Sequence, residues 1–292
     1  MTDRKEVWTI GKILNWTKQY FEEKGVDTPR LDAEVLLSHI LKCDRIHLYV
    51  NFDRPLVEEE LASYRQMVKA RVQRMPVAYI LGEKEFMGHS FCVTPDVLIP
   101  RPDTEILVEE AIRLLAEKES PRIVDIGTGS GAILLSVLLG IEGSTGVAVD
   151  LSPNALAVAK SNGERLGLAG RADFRLGDLY APVDGSFDAI LSNPPYIPVR
   201  DMAGLSPEVK QEPEMALVGG VDGLDFYRRL IDEAPRYLKE DGIVLFEVGI
   251  HQAQDVAALG KARGFRAQRI LPDYAGIDRV VVLSDLDKAV KV

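Results

Sequence analysis

From about Thr104 onward the chain alternates between apolar runs of strand length and longer segments with helical spacing, and this alternation limits the fold more than any other feature. Residues 122–126, 145–150, 172–176, 187–192, 242–248, 265–270 and 278–283 read as strands, with helices at about 104–118, 131–139, 153–166, 224–238 and 251–263. A strand that returns through a crossover helix pairs in parallel. The pattern therefore predicts an α/β fold with a doubly wound, Rossmann-like sheet and helices on both faces. Residues 271–277 leave no room for a helix, so the last two strands are expected to pair as an antiparallel hairpin.

The first 80 or so residues carry a different signal. Ile10, Ile13, Leu14, Tyr20 and Phe21 recur at helical spacing behind Thr9, a suitable cap, and Gly25 stops that helix. Thr28-Pro29 opens a second helix whose inner face is expected to hold Leu31, Val35, Leu36, His39 and Ile40. A short segment at 45–50 and a longer helix at about 58–74, ended by Pro76, complete a small all-α bundle. Between the two halves, Phe86, Phe91, Val93, Val97, Leu98 and Ile99 sit among Gly88, Pro95 and Pro100, which reads as a β-hairpin or extended linker. The expected domains are 1–83 (helical, substrate recognition), 84–103 (linker) and 104–292 (catalytic).

Composition narrows the setting. No apolar run reaches the ~20 residues that span a bilayer, and the charged N-terminus has no apolar stretch behind it, so a cytoplasmic protein without a membrane partner is expected. Cys43 and Cys92 are too few for a disulfide framework, and the four histidines lack metal-ligand spacing. The net charge of −10 is uneven: residues 1–101 hold 15 basic and 15 acidic side chains, whereas 102–292 hold 20 and 30. An acidic catalytic half disfavours gripping a phosphate backbone, so no nucleic-acid partner is expected.

Two motifs carry the chemistry. In the first, strand 122–126 runs into Gly127-Thr128-Gly129-Ser130-Gly131 and then into a helix. Glycines at that turn bring backbone close to a ligand at the C-terminal end of the sheet. Asp150 ends the next strand, 19 residues after Gly131, where a carboxylate can accept both hydroxyl hydrogens of a ribose. These features indicate a cofactor containing adenosine. Gly127, Gly129 and Ala132 also satisfy the dinucleotide pattern, so NAD stays open on this motif alone. The terminal hairpin, Asp178 after the third strand (placed to meet an adenine amino group) and the motif after the fourth strand favour S-adenosylmethionine, with S-adenosylhomocysteine as product.

In the second motif, strand 187–192 ends in Asn193-Pro194-Pro195-Tyr196. The prolines fix the backbone and remove two amide donors. The turn can then aim the Asn193 side-chain oxygen and the Pro194 carbonyl at one point, with Tyr196 offering a flat face. An NH2 group on a planar carbon suits such a clamp: a carboxamide or an adenine. The 26 residues from Ile197 to Asp222 hold three prolines and little periodicity, which marks a lid or binding loop.

The chain resembles the Asn-Pro-Pro-Tyr nitrogen methyltransferases, and among them the bacterial release-factor glutamine methyltransferase (HemK/PrmC) family. The resemblance runs through Arg30–Leu37, Arg74–Gly82, Glu85-Phe86, Leu98–Glu105 and the loop at Glu212-Pro213, Ala216-Leu217, Gly219-Gly220 and Asp222-Gly223. It implies a class I S-adenosylmethionine-dependent methyltransferase fold. It also implies that the substrate is the glutamine of a Gly-Gly-Gln loop in peptide chain release factors, held in part by the helical domain and linker. Cofactor contacts are implied for Gly127, Thr128, Gly129, Ser130, Gly131, Asp150, Asp178, Leu179 and Asn193. Catalysis and substrate binding are implied for Asn193, Pro194, Pro195 and Tyr196. Leu179 stands where some members carry an aromatic residue that packs on adenine. Glutamine methylation of a ribosomal protein, adenine methylation of DNA or RNA, and a non-catalytic cofactor-binding module remain as alternatives.

Overall fold

The computed structural model describes residues 7–287. They form two compact units. The first is the chain up to Gly82 together with Pro207–Gln211, and the second is Glu83–Ser206 with the chain from Glu212 onward.

The first unit is built from α1 (Ile10–Glu23), α2 (Pro29–Leu41), α3 (Arg45–Val50), α4 (Glu58–Val72) and a short α5 (Val77–Leu81) that the periodicity did not announce. Thr9 caps α1 by accepting the Lys12 amide at 3.3 Å. Thr28 precedes α2, but its hydroxyl donates to Asp32 at 2.7 Å instead of capping. The inner face of α2 also differs from the expected one. Leu31 and His39 are exposed, while Asp32, Ala33, Glu34, Leu36 and Leu37 are buried. The two acids on this buried face are both paired with cations. Glu34 receives Arg30, Arg45 and Tyr49, and Asp32 receives Arg71 Nε at 2.7 Å. Buried charge survives only where it is paired in this way. Arg71 and Arg74 each also donate at 2.9 Å to Glu208, which ties the Pro207–Gln211 segment to the helices.

The second unit opens with the hairpin β1 (Glu83–Phe86) and β2 (His89–Cys92), followed by α6 (Pro102–Leu115). The order is then β3 (Arg122–Ile126), α7 (Ala132–Gly140), β4 (Thr145–Asp150), α8 (Pro153–Arg165), β5 (Ala172–Leu176), β6 (Phe187–Ser192), α9 (Asp225–Glu233), β7 (Leu238–Glu247), α10 (Ala253–Ala262), β8 (Phe265–Pro272) and β9 (Asp278–Leu286). The sheet order is β5-β4-β3-β6-β7-β9-β8. The first five strands in this order are joined by four parallel pairings, and β9 is antiparallel to both β7 and β8. β7 begins at Leu238, four residues before the apolar run that marks it in the sequence, with a register shift against β6 between Phe187 and Ala189.

Alternate strand residues feed two cores. Val124, Ile126, Val149, Ile190, Val244 and Phe246 join α9 and α10 on one face. Ile123, Ala148, Leu191 and Leu245 join α6, α7 and the hairpin's Phe86 and Phe91 on the other. All six residues of β6 are buried, as expected for a central parallel strand covered on both faces. Strand order reverses between β3 and β6, because β3 leads outward to β4 and β6 leads the other way to β7. Open α/β sheets bind ligands at the carboxyl ends of the strands at that switch point.

Candidate active site

The carboxyl ends of β3, β4, β5 and β6 open on a cavity of about 290 Å³. Its lining includes Gly127, Thr128, Gly129 and Ser130 after β3, Asp150 at the end of β4, Asp178 and Leu179 after β5, and Asn193, Pro194 and Pro195 after β6. The structure thus brings both sequence motifs to one place.

The glycine turn has a definite architecture. Gly127 and Gly129 have φ of +77° and +56°, and a Cβ on either would meet nothing within 4 Å. They face open space where a ligand can approach the backbone. Gly131 is different: it does not line the cavity, and a Cβ there would lie 2.9 Å from Leu135 Cδ1 and 3.3 Å from Ala159 Cβ. Its role is close helix packing at the start of α7. Beneath the turn, the Asp125 carboxylate accepts the Thr128 hydroxyl at 2.7 Å. Complete burial pushes the Asp125 carboxyl up to about 7, against the hydrogen bonds from Thr128 and Leu134.

Asp150 reaches the turn from the next strand. Its two oxygens accept the Gly129 amide at 2.8 Å and the Ser152 amide at 2.9 Å. Each oxygen keeps lone-pair capacity for a further donor. Burial raises this carboxyl above its ordinary range, opposed by the amides of Ser152, Gly129 and Leu151. Asp178 lies two residues beyond the end of β5, half exposed, and accepts Arg229 Nη2 at 2.6 Å. Leu179 is buried with φ +49° and forms part of the apolar wall with Ile133 and Phe226. A cradle of open glycines, an apolar wall and a carboxylate at the far edge fits the nonpolar and hydroxyl-bearing parts of an adenosine.

At the end of β6, Ser192 donates to the Ile126 carbonyl at 2.6 Å and fastens this strand to the glycine-bearing one. Asn193 follows, half-buried, and its Nδ2 donates to Thr104 Oγ1 at 3.5 Å. Tyr196 does not line the cavity. Its ring packs against Gly249, its hydroxyl donates to Glu247 Oε1 at 3.5 Å, and its carbonyl accepts Gln252 Nε2 at 3.0 Å. The long loop leaves and returns beside this motif: Ile197 bridges Val218, and Gly219 donates to the Ile197 carbonyl at 2.9 Å. Between these ends it is organised as short 3-10 turns at Val199–Gly204, Val209–Gln211 and Glu214–Ala216. Glu212 anchors it by accepting the Ile99 amide at 3.0 Å and pairing with Arg101.

Thr104, Asp125, Glu247 and Gln252 are parts of this region that the sequence motifs did not single out. Glu247 left a usable signal, a carboxylate closing the apolar run 243–246 on the ligand-bearing edge of the sheet.

The chain's relatives are consistent with this geometry. The family described as "PrmC N-terminal domain" matches residues 12–82, and the one described as "Methyltransferase small domain" matches residues 103–206. The release factor glutamine methyltransferase of Geobacter sulfurreducens is 48% identical over 283 residues, covering 96% of this chain and 98% of that protein. That of Moorella thermoacetica is 44% identical, covering 93% and 96%. The chain belongs to the release factor glutamine methyltransferase family. It is a methyltransferase, and its sheet has the class I fold. The crystal structure of the hMettl16 catalytic domain with a 3′UTR hairpin shares that fold, with TM-score 0.58 and 16% identity over 81% of this chain and 86% of that one. Among the described residues no helix is long and apolar enough to cross a membrane.

Proposed function

We propose that the enzyme transfers the methyl group of S-adenosylmethionine to the side-chain amide nitrogen of the glutamine in the Gly-Gly-Gln loop of peptide chain release factors, in the cytoplasm. The observation that carries this reading is the shared cavity. Gly127, Gly129 and Asp150 line it from one side and Asn193, Pro194 and Pro195 from the other, at the switch point of the sheet. The names of the Geobacter and Moorella relatives, matched over nearly their full length, support glutamine as the acceptor.

When bound, the cofactor supplies a methyl on a sulfonium, an already activated electrophile. The chain's residues hold it and present the nucleophile. Gly127 through Gly129 would hold the cofactor against the backbone, Asp150 would accept its ribose hydroxyls, and Leu179 with Ile133 would cover its apolar surface. Asp178, which pairs with Arg229, would meet the adenine amino group. An amide nitrogen is a poor nucleophile because its lone pair is shared with the carbonyl. The Asn193 side-chain oxygen and the Pro194 carbonyl accept its two N–H hydrogens. They orient the nitrogen for in-line attack and stabilise the positive charge that develops on it. Transfer would form a nitrogen–carbon bond at the expense of the methyl–sulfur bond, and the alkylated amide would then release one N–H proton to solvent. Tyr196, tied to Glu247 and Gln252, holds the motif's backbone from below.

The test is a parallel transfer assay with tritiated S-adenosylmethionine, using unmethylated release factor and single-stranded DNA as acceptors. Label in the release factor, located on the glutamine by tandem mass spectrometry and absent from a factor whose Gly-Gly-Gln glutamine is replaced by alanine, is the expected result. Label in DNA with none in the release factor overturns the assignment.

A further inference from the structure

Glu247 is the last residue of β7 and is 1% exposed. A carboxylate in such a place needs donors, and it has them from the acceptor motif itself. Thr104 Oγ1 donates to Glu247 Oε2 at 2.5 Å, Tyr196 donates to Oε1 at 3.5 Å, and Asn193 also hydrogen-bonds the carboxylate. Thr104 belongs to α6, lines the cavity and accepts Asn193 Nδ2 at 3.5 Å. One buried acid therefore underlies both polar side chains of the Asn-Pro-Pro-Tyr turn.

The direction of these hydrogen bonds has a chemical consequence. An ionised carboxylate only accepts. Thr104 must then spend its single hydroxyl hydrogen on Glu247, so toward Asn193 it can only accept. Asn193 is forced to turn Nδ2 inward, and its oxygen is left for the cavity. Replace the carboxylate by a group with a hydrogen to give, and the chain can run backwards: Thr104 then donates to Asn193 and the amide flips, presenting NH2 to an acceptor nitrogen that needs an oxygen.

We propose that Glu247, acting on Asn193 directly and through Thr104, is a positioning residue that sets the hydrogen-bond polarity of the acceptor clamp, so that the Asn193 oxygen faces the nitrogen to be methylated. This rests on the clamp reading of Asn193 given above. The environment makes the arrangement sensitive to protons. Burial pushes the Glu247 carboxyl up to about 7, and Asp103 on α6 adds to the rise. The Thr104 and Asn193 hydrogen bonds and the Arg279 guanidinium on β9 oppose it. The other titratable and charged groups facing this region are Tyr196, whose own proton is held more tightly than usual by burial and by Glu247, Arg101, which acts on Tyr196, and Tyr227 on α9, which donates to the Glu247 backbone carbonyl at 2.7 Å. Arg279 is held by Asp273 at 3.1 Å and stands 3.6 Å from Asp103.

The experiment compares full-length wild type, Glu247→Gln, Thr104→Val and Thr104→Ser on unmethylated release factor. It measures kcat, KM for both substrates, product-cofactor affinity and thermal stability between pH 5.5 and 9. Wild-type kcat is expected to fall as pH drops below about 7, because protonation of Glu247 removes the polarity constraint. Glu247→Gln is expected to lower kcat about 10- to 100-fold, the usual penalty for losing a partner one shell behind the reacting groups. Its profile loses the acidic limb, cofactor affinity stays within about twofold, and Tm is retained or raised because a buried charge has gone. Thr104→Val gives a smaller loss, because the direct contact of Asn193 with Glu247 remains, and Thr104→Ser restores most of it. Wild-type kcat and an intact limb in Glu247→Gln overturn the proposal, as does a wild-type kcat that is level from pH 5.5 to 9 if Glu247→Gln does not fold. A wild-type enzyme that leaves the glutamine unlabelled instead overturns the acceptor assignment, and this inference falls with it.

Discussion

Replacing Asp150 separates two jobs that one carboxylate performs. Its oxygens accept the Gly129 amide at 2.8 Å and the Ser152 amide at 2.9 Å, so the side chain helps to shape the glycine turn. The same carboxylate lines the cavity. A hydrogen bond to a charged group contributes about 1.5–3 kcal/mol, so losing the ribose contact through Asp150→Ala should weaken S-adenosylhomocysteine about 10- to 150-fold. The two amides left behind cost about 1–3 kcal/mol each where water cannot reach them, partly offset by removal of a carboxylate that burial already disfavours. Asp150→Asn keeps the shape and one good acceptor. It should recover part of the stability while leaving a clear affinity deficit, because in either orientation its NH2 faces one of the two amide donors and takes one acceptor away from the ribose. Titration calorimetry at pH 7.5 reads affinity, and thermal unfolding of the apo proteins reads stability. If Asp150→Asn binds S-adenosylhomocysteine as wild type does while both variants unfold earlier, Asp150 builds the turn and does not hold the ribose.

Asn193→Ala is expected to reduce kcat about 10²- to 10³-fold with little change in cofactor affinity, measured by the tritium transfer assay and calorimetry; undiminished turnover contradicts the clamp. Gly131→Ala should destabilise by about 1–2 kcal/mol in urea unfolding, since φ is +81° and the added Cβ meets Leu135 Cδ1 at 2.9 Å; a neutral result would mean α7 and α8 separate easily. Complete burial pushes the Asp125 carboxyl up from 3.8 to about 7, so the folded state keeps a proton that the unfolded chain has already lost, and stability falls as pH rises from about 4 to about 7 and is level above that. Asp125→Asn should therefore gain stability relative to wild type between pH 5 and 7 and hold that gain to pH 9, and a difference that does not change between pH 5 and 7 contradicts the raised carboxyl.

The parts of the fold legible in the sequence were those with a local signature. β3, β4 and β6 are largely apolar because both faces are buried, and the glycine turn and Asn193–Tyr196 are punctuation that few structures other than a ligand-bearing strand end require. The departures have a common cause in partners distant along the chain. The buried face of α2 is set by Arg45 and Arg71, and no helical-wheel argument on 29–41 contains those cations. The early start of β7 depends on Leu238 pairing with Phe187 across a register shift. Gly131 shares a motif with Gly127 and Gly129 yet faces Ala159, a neighbour that only the packing of α8 reveals. Thr104 and Glu247 are 143 residues apart, and neither segment alone suggests a shared hydrogen bond.

The order β7-β9-β8 also bears on how the enzyme is made. Strand β8 leaves the ribosome before β9, yet β9 lies between β7 and β8 and supplies the hydrogen bonds to both. Until residues 278–286 emerge, β7 presents an open edge, and β8 has no seat in the sheet. An exposed, largely apolar edge invites pairing with other chains. A nascent chain arrested just before Asp278 would carry the complete cofactor turn and acceptor motif on a sheet open at β7. It would also lack Arg279, the cation that faces Glu247, so assembly of the polar network beneath Asn193 waits for the final strand of the sheet.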